Sequence, residues 1–111
     1  MNLLDYVDFE KIDLRTGTII EVKDFDKARK PAYQIWIDFG KLGIKKSSAQ
    51  ITKLYTKDQL IGKQIVAVVN FEPRQIANFM SECLILGFEN SNKEVTLLVP
   101  DSQILNGTQI L

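Results

Sequence analysis

Residues 14–22 restrict this chain more than any other segment, because Leu14, Thr16, Thr18, Ile20 and Val22 alternate with Arg15, Gly17, Ile19 and Glu21. A two-residue period rich in β-branched side chains marks a long strand. Gly17 inside it predicts a bend or bulge, of the kind needed where a strand curls around a small barrel. Residues 33–39 read as a second strand ended by Gly40, and residues 44–51 as a third after a turn at Leu42 and Gly43, so an antiparallel meander is expected. Residues 65–69 are a nearly continuous apolar run, which suits a strand buried on both sides, and the stretch 70–73 breaks it. Residues 83–86 and 95–99 give further short strands around a polar turn at 89–93.

Helical signals are brief. Leu3, Tyr6 and Val7 have the spacing of one amphipathic turn, and residues 56–62 offer Thr56 as an N-cap, Asp58 in the first turn and Gly62 as a stop. Asn106 and Gly107 are a turn signal that predicts a fold-back of residues 108–111. Five or more short strands with little helix fit an all-β class with short helices: a five-stranded Greek-key barrel of the oligonucleotide/oligosaccharide-binding type, the OB-fold. A single domain accounts for all 111 residues, with an N-terminal helical extension at 1–12, the barrel at 13–99 and a C-terminal extension at 100–111.

The chain has no His and a single Cys, which removes the commonest general base, the commonest metal ligand and any intrachain disulfide. No metal, cofactor or catalytic residue is expected, and the protein is read as a binding module rather than an enzyme. Cys83, followed by Leu84, Ile85 and Leu86, reads as a small buried hydrophobe. The pairs Asp5/Asp8 and Asp24/Asp26 sit in charged segments without the burial that would separate their pKa values. The lack of a disulfide pair and of a basic start followed by an apolar run points to the cytoplasm. Apolar runs fall far short of the ~20 residues a membrane-spanning helix needs, so no membrane insertion is expected.

Lys plus Arg and Asp plus Glu number 14 each, but they are not evenly spread. Residues 1–26 carry net −4, residues 27–74 net +7 and residues 75–111 net −3. A fold that gathers the central cations on one face would attract anions; otherwise they form an ordinary solvated surface.

Four blocks, at 13–19 (DLRTGTI), 37–40 (IDFG), 46–51 (KSSAQI) and 62–74 (GKQIVAVVNFEPR), resemble in order the tRNA-binding domain family, which occurs appended to some aminoacyl-tRNA synthetases and as stand-alone proteins. The resemblance spans about residues 8–111. Residues 28–32 (ARKPA), 44–52 (IKKSSAQIT), 70–82 (NFEPRQIANFMSE) and 84–87 (LILG) are most similar to the stand-alone, chaperone-like branch linked to protein export. That resemblance implies an OB-fold homodimer held by segments outside the barrel, binding unfolded or presecretory polypeptides and cooperating with the secretion motor. The apolar ends agree with such an interface: Leu3, Leu4, Tyr6, Val7 and Phe9 at one terminus, Val99, Ile104, Leu105, Ile110 and Leu111 at the other. The plainer alternative is that both ends dock on their own barrel.

The synthetase-linked members carry more basic residues in the loop after the buried strand, where this chain has Glu72, Gln75, Ala77 and Asn78. Losing about three phosphate contacts would weaken RNA binding by tens to a thousand-fold at physiological salt. The expected binding residues are Lys46, Ser47, Ser48 and Gln50 in the third strand, with Tyr55 and Asn70 beside them. Phe71, Arg74, Ile76, Phe79, Met80 and Ser81 come from the following loop, where Met80 adapts and Phe79 supplies area. For Phe71 and Phe79 the alternative is a core role; for the serines and Gln50 it is pairing within the sheet. Asn78 replaces a family Gly, a tolerable change if φ is positive there. Trp36 reads as core. The first reading is capture of unfolded polypeptide, the alternative tRNA.

Overall fold

The computed structural model describes residues 1–111. Strand β1 (Leu14–Asp24) is long enough to serve two antiparallel neighbours. Its first half pairs with β4 (Gln64–Val68) and its second half with β2 (Tyr33–Asp38), which in turn pairs with β3 (Ile44–Ala49). With β5 (Arg74–Ile76), β6 (Phe79–Ser81) and β7 (Leu84–Ile85) following, the main sheet runs β3-β2-β1-β4-β7. β5 and β6 form a separate hairpin, as do β8 (Gly87–Glu89) and β9 (Val95–Leu97). The result is a nearly closed five-stranded antiparallel barrel with two short helices, α1 (Tyr6–Glu10) and α2 (Lys57–Leu60), as the strand count predicted.

Backbone and side-chain hydrogen bonds from residues 81 and 82 close the barrel where β3 has a free edge. The Glu82 amide donates to the Lys46 carbonyl at 2.8 Å, and the Lys46 amide donates back to Glu82 Oε1 at 3.0 Å. The Ser48 amide donates to Ser81 Oγ at 3.1 Å. An exposed strand edge invites pairing with another chain, and here the entry to β7 covers it.

The bend in β1 differs from its expected form. Its register slips between Ile19 and Glu21, so the extra residue is Ile20, three positions beyond Gly17. The slip moves the inward face from Gly17 and Ile19 to Val22 and leaves Ile20 exposed, so strict alternation fails there. Gly17 answers a different need, namely close approach of β2. A Cβ at this position would lie 2.7 Å from side-chain carbons of Ile37 and Phe39 and 2.9 Å from the Asp38 carbonyl oxygen.

Inside the barrel, Ile19, Ile35, Ile37, Phe39, Leu60 and Ile65 are almost wholly buried. The alternation of β2 places Tyr33, Ile35 and Ile37 in this core. Trp36, on the other face of β2, packs instead on a second cluster of Phe25, Ala32 and Phe79 outside the barrel. α2 forms as its sequence predicts: Thr56 Oγ1 accepts from the Gln59 amide and Gln59 Oε1 accepts from the Thr56 amide, a reciprocal cap. The Lys57 ammonium donates to Asp24 at 2.9 Å, and that hydrogen bond, with the Asp24 charge, raises the Lys57 pKa.

The end of the chain folds back as the Asn106-Gly107 signal predicts, though with one bridge, Arg15 to Gln109, rather than a strand. The Gly107 amide donates to the Thr16 carbonyl at 2.8 Å and the Ile110 amide to the Leu14 carbonyl at 2.9 Å. The largest departure is the β5–β6 hairpin, which occupies a stretch that reads as loop. Its positive φ, 52°, falls on Ala77 and not on Asn78, so Asn78 does not play the glycine-like part assigned to it.

Candidate binding site at the β3 and β5–β6 rim

The hairpin stands against the closing edge of the barrel and leaves a hollow of about 710 Å³ between them. Ser48 of β3, with Glu82, Cys83 and Leu84 at the entry to β7, forms its barrel side; Arg74, Ile76 and Ser81 of the hairpin and the preceding Phe71 and Glu72 complete the wall. Phe71 is 57% exposed and Leu84 48%, so apolar surface faces solvent at the mouth. A second hollow of about 580 Å³ adjoins it across Ser48 and Ile76, bounded by Gln50, Ala77 and the loop that carries Lys27, Ala28, Arg29, Lys30 and Ala32.

The aromatic cluster fixes both. Phe79 lies 5.4 Å from Phe25 and 5.8 Å, edge-on, from Trp36, with the Lys46 ammonium 5.0 Å above its ring. Phe25 also donates its amide to the Ala32 carbonyl, closing the base of the basic loop. One ring thereby ties the hairpin to β2 and to that loop.

The predicted binding residues separate into two groups. Ser48, Phe71, Arg74, Ile76 and Ser81 line the first hollow, and Gln50 lines the second. Lys46 supports Phe79, and Met80 is exposed on the hairpin without lining either hollow. Four expected contacts are structural instead. Ser47 points into the barrel opposite Ile35 and is 1% exposed, because the β3 alternation turns it inward. Phe79 is 5% exposed within the outer cluster. Tyr55 accepts from the Leu97 amide at its hydroxyl and from the Tyr33 hydroxyl at its carbonyl, bridging strands on the far side. Asn70 accepts from the Asp13 amide and donates to the Lys11 carbonyl, pinning the chain ahead of β1. Glu72, Glu82, Leu84 and the basic loop were not among the expected site residues; the ARKPA block and the positive central segment were the signals for the loop.

Cys83 is buried as expected, and burial pushes its thiol up to about 12 from an ordinary 9.0, partly opposed by the charge of Lys45. Because the folded value is raised, this group favours the fold below pH 9 and loses that contribution as pH rises toward 12. At pH 8 a maleimide should modify Cys83 only through opening of the fold, at least a hundredfold more slowly than in the urea-unfolded chain. Rapid native labelling would contradict this burial. No cluster of three or more metal-ligating side chains forms, and no helix is long and apolar enough to cross a membrane.

At the termini, Leu3, Leu4, Tyr6, Val7 and Leu105 are each more than 60% exposed, and Val99, Ile104 and Ile110 more than 40%. Tyr6 and Phe9 of α1 meet Ile110 and Leu111 around one small hollow, so both chain ends contribute to a continuous face.

The curled five-stranded barrel is of the OB-fold class, and the hollow at its rim is a candidate binding site. Residues 14–109 match the family described as "Putative tRNA binding domain", and the chain belongs to that family. Among solved structures it is similar to the chaperone CsaA from Bacillus anthracis, at 49% identity and a TM-score of 0.95, covering 99% of this chain and 100% of that one. It is likewise similar to the CsaA chaperone protein from Picrophilus torridus, at 54% identity and TM-score 0.92, covering 98% and 100%. Among curated relatives, the methionine–tRNA ligase of Nanoarchaeum equitans is 36% identical over 110 residues, which is 97% of this chain but 14% of the ligase. The chain thus spans about one seventh of the length of that relative.

Proposed function

We propose that this protein is a chaperone-like module that captures unfolded or presecretory polypeptide, acting in the cytoplasm as a homodimer and cooperating with the protein-export machinery. The observation that carries this reading is the composition of the first hollow. Phe71, Ile76 and Leu84 offer apolar area, while Glu72 and Glu82 flank the single cation Arg74. A phosphate backbone would meet two carboxylates there, whereas a polypeptide would find apolar contact and groups of both signs. Likeness to two CsaA chaperones supports it. The apolar face at which Tyr6 and Phe9 meet Ile110 and Leu111, with Leu3, Leu4 and Val7 exposed in the same terminal segment, supports self-association.

The test is binding of a fluorescent unfolded-protein peptide and of bulk tRNA across a salt series. Peptide affinity should change little between 50 and 200 mM salt, and the double substitution Phe71→Ser and Leu84→Ser should reduce it about tenfold without moving the unfolding midpoint. A nanomolar, steeply salt-dependent tRNA affinity without peptide binding would replace this reading with the family's RNA-binding one. Removing residues 1–10 should convert dimers to monomers or aggregates by light scattering, and an unchanged particle mass would exclude α1 from the interface.

A further inference from the structure

The second hollow has a composition unlike the first. Its charged lining residues are Lys27, Arg29 and Lys30, with no carboxylate among them, and Ser48 and Gln50 add polar groups to the lining. None of these three cations belongs to any of the ion pairs of the chain, which join Lys11 to Asp8, Arg15 to Asp13, Lys23 to Glu21 and Lys57 to Asp24. The nearest acidic side chains in sequence, Asp24 and Asp26, line a neighbouring hollow that Arg29 and Lys30 also border, but neither carboxylate pairs with them, and Asp24 is engaged by Lys57.

The loop is also held in place. Phe25 and Ala32 at its two ends are buried beside Phe79, the Phe25 amide donates to the Ala32 carbonyl, and the Ala28 amide donates to the Phe25 carbonyl. Pro31 removes further freedom. Three cations without an ion-pair partner, on an anchored loop across from Ser48, Gln50 and Ile76, give this hollow a positive lining that holds no carboxylate.

We propose that this hollow is a carboxylate subsite of the polypeptide-binding rim: it receives an acidic side chain or the C-terminal carboxylate of the same segment whose apolar side chain fills the first hollow. The inference rests on the polypeptide reading above. The shared walls Ser48 and Ile76 make the two hollows neighbours along one path. A run of phosphates on that path would leave the cations to meet Glu72 and Glu82, while a peptide can match the change of sign within a few residues. Selectivity then follows from charge order. Segments with an apolar residue close to Asp, Glu or a chain end would be preferred over neutral or lysine-bearing ones.

Labelled alanine–serine peptides with a central Leu-Phe pair, each carrying Glu, Gln or Lys at successive flanking positions, test the idea by fluorescence anisotropy. The best-placed Glu peptide should bind about fivefold more tightly than its Gln counterpart, and the Lys peptide more weakly than either. The triple substitution Lys27→Gln, Arg29→Gln and Lys30→Gln should abolish that preference while leaving the Gln peptide's affinity unchanged. The same peptide with a free or amidated C-terminus separates the two carboxylate sources. Equal affinity for the Glu, Gln and Lys peptides would overturn the subsite while leaving polypeptide capture intact. Absence of binding by all of them would instead remove the reading beneath it. A preference that survives the triple substitution would also overturn it.

Discussion

In Phe79→Ala the β5–β6 hairpin should come away from the barrel, peptide capture should fall by more than tenfold and the barrel itself should remain folded. Deleting a buried phenyl ring costs about 3–5 kcal/mol. Two ring partners, Phe25 and Trp36, and the cation of Lys46 would lose their contact as well. Against this, the hairpin has only three residue pairs, and an isolated two-stranded hairpin is marginal in water. The loss exceeds what the hairpin supplies. The barrel core around Ile35, Ile37, Phe39 and Ile65 is a separate cluster, so opening should stay local. Arg74, Ile76 and Ser81 would leave the first hollow together, and Ile76 and Ala77 the second.

Two measurements locate the effect. Amides of residues 74–81 should exchange rapidly while those of β1, β2 and β4 keep their protection. Trp36, the only Trp in the chain, should show a red-shifted emission as its edge contact is replaced by water. Phe79→Leu should recover most of both. Wild-type capture and emission in the alanine variant would show that the ring does not hold the rim.

The same residue marks where sequence reasoning stops. The barrel strands were legible because β1, β2 and β4 carry their burial in a short-period or continuous apolar pattern, set by a single core. The outer cluster has no such pattern. Trp36 sits out of phase with Tyr33, Ile35 and Ile37, and its partners Phe25 and Phe79 come from a loop and a three-residue strand. Nothing in the order of residues says that a sheet face outside the barrel will also be covered. The hairpin turn is equally silent, since its positive φ falls on an Ala, a residue without turn preference. Site residues on β3 were separable in principle: a strand that turns Lys46 and Ser48 outward must turn Ser47 in. The direction of that alternation was fixed only by pairing with β2.

Gly17→Ala is the second large effect expected, and it acts on the barrel rather than the rim. The new Cβ would stand 2.7 Å from Ile37 and Phe39 carbons, a separation that real Cβ atoms essentially never show. Those two side chains are fully buried and have no free space to rotate into. The third neighbour, the Asp38 carbonyl oxygen at 2.9 Å, belongs to the backbone of β2, so relief requires that β1 and β2 part. Their pairing continues from Thr18 opposite Asp38 to Asp24 opposite Tyr33, and a displacement at Gly17 would strain its first rungs. Overpacking of this kind costs about 3 kcal/mol. A single domain has a total stability of roughly 5–15 kcal/mol, and the midpoint of thermal unfolding should drop by on the order of 10–20 °C. Gly17→Val should prevent folding, because its branches add volume on the same side. If instead Gly17 mattered only as a flexible bend, alanine would be nearly silent in a urea titration, and the strain would appear on substituting Ile20, where the bulge lies. The comparison of these two positions separates a glycine kept for closeness from one kept for backbone freedom.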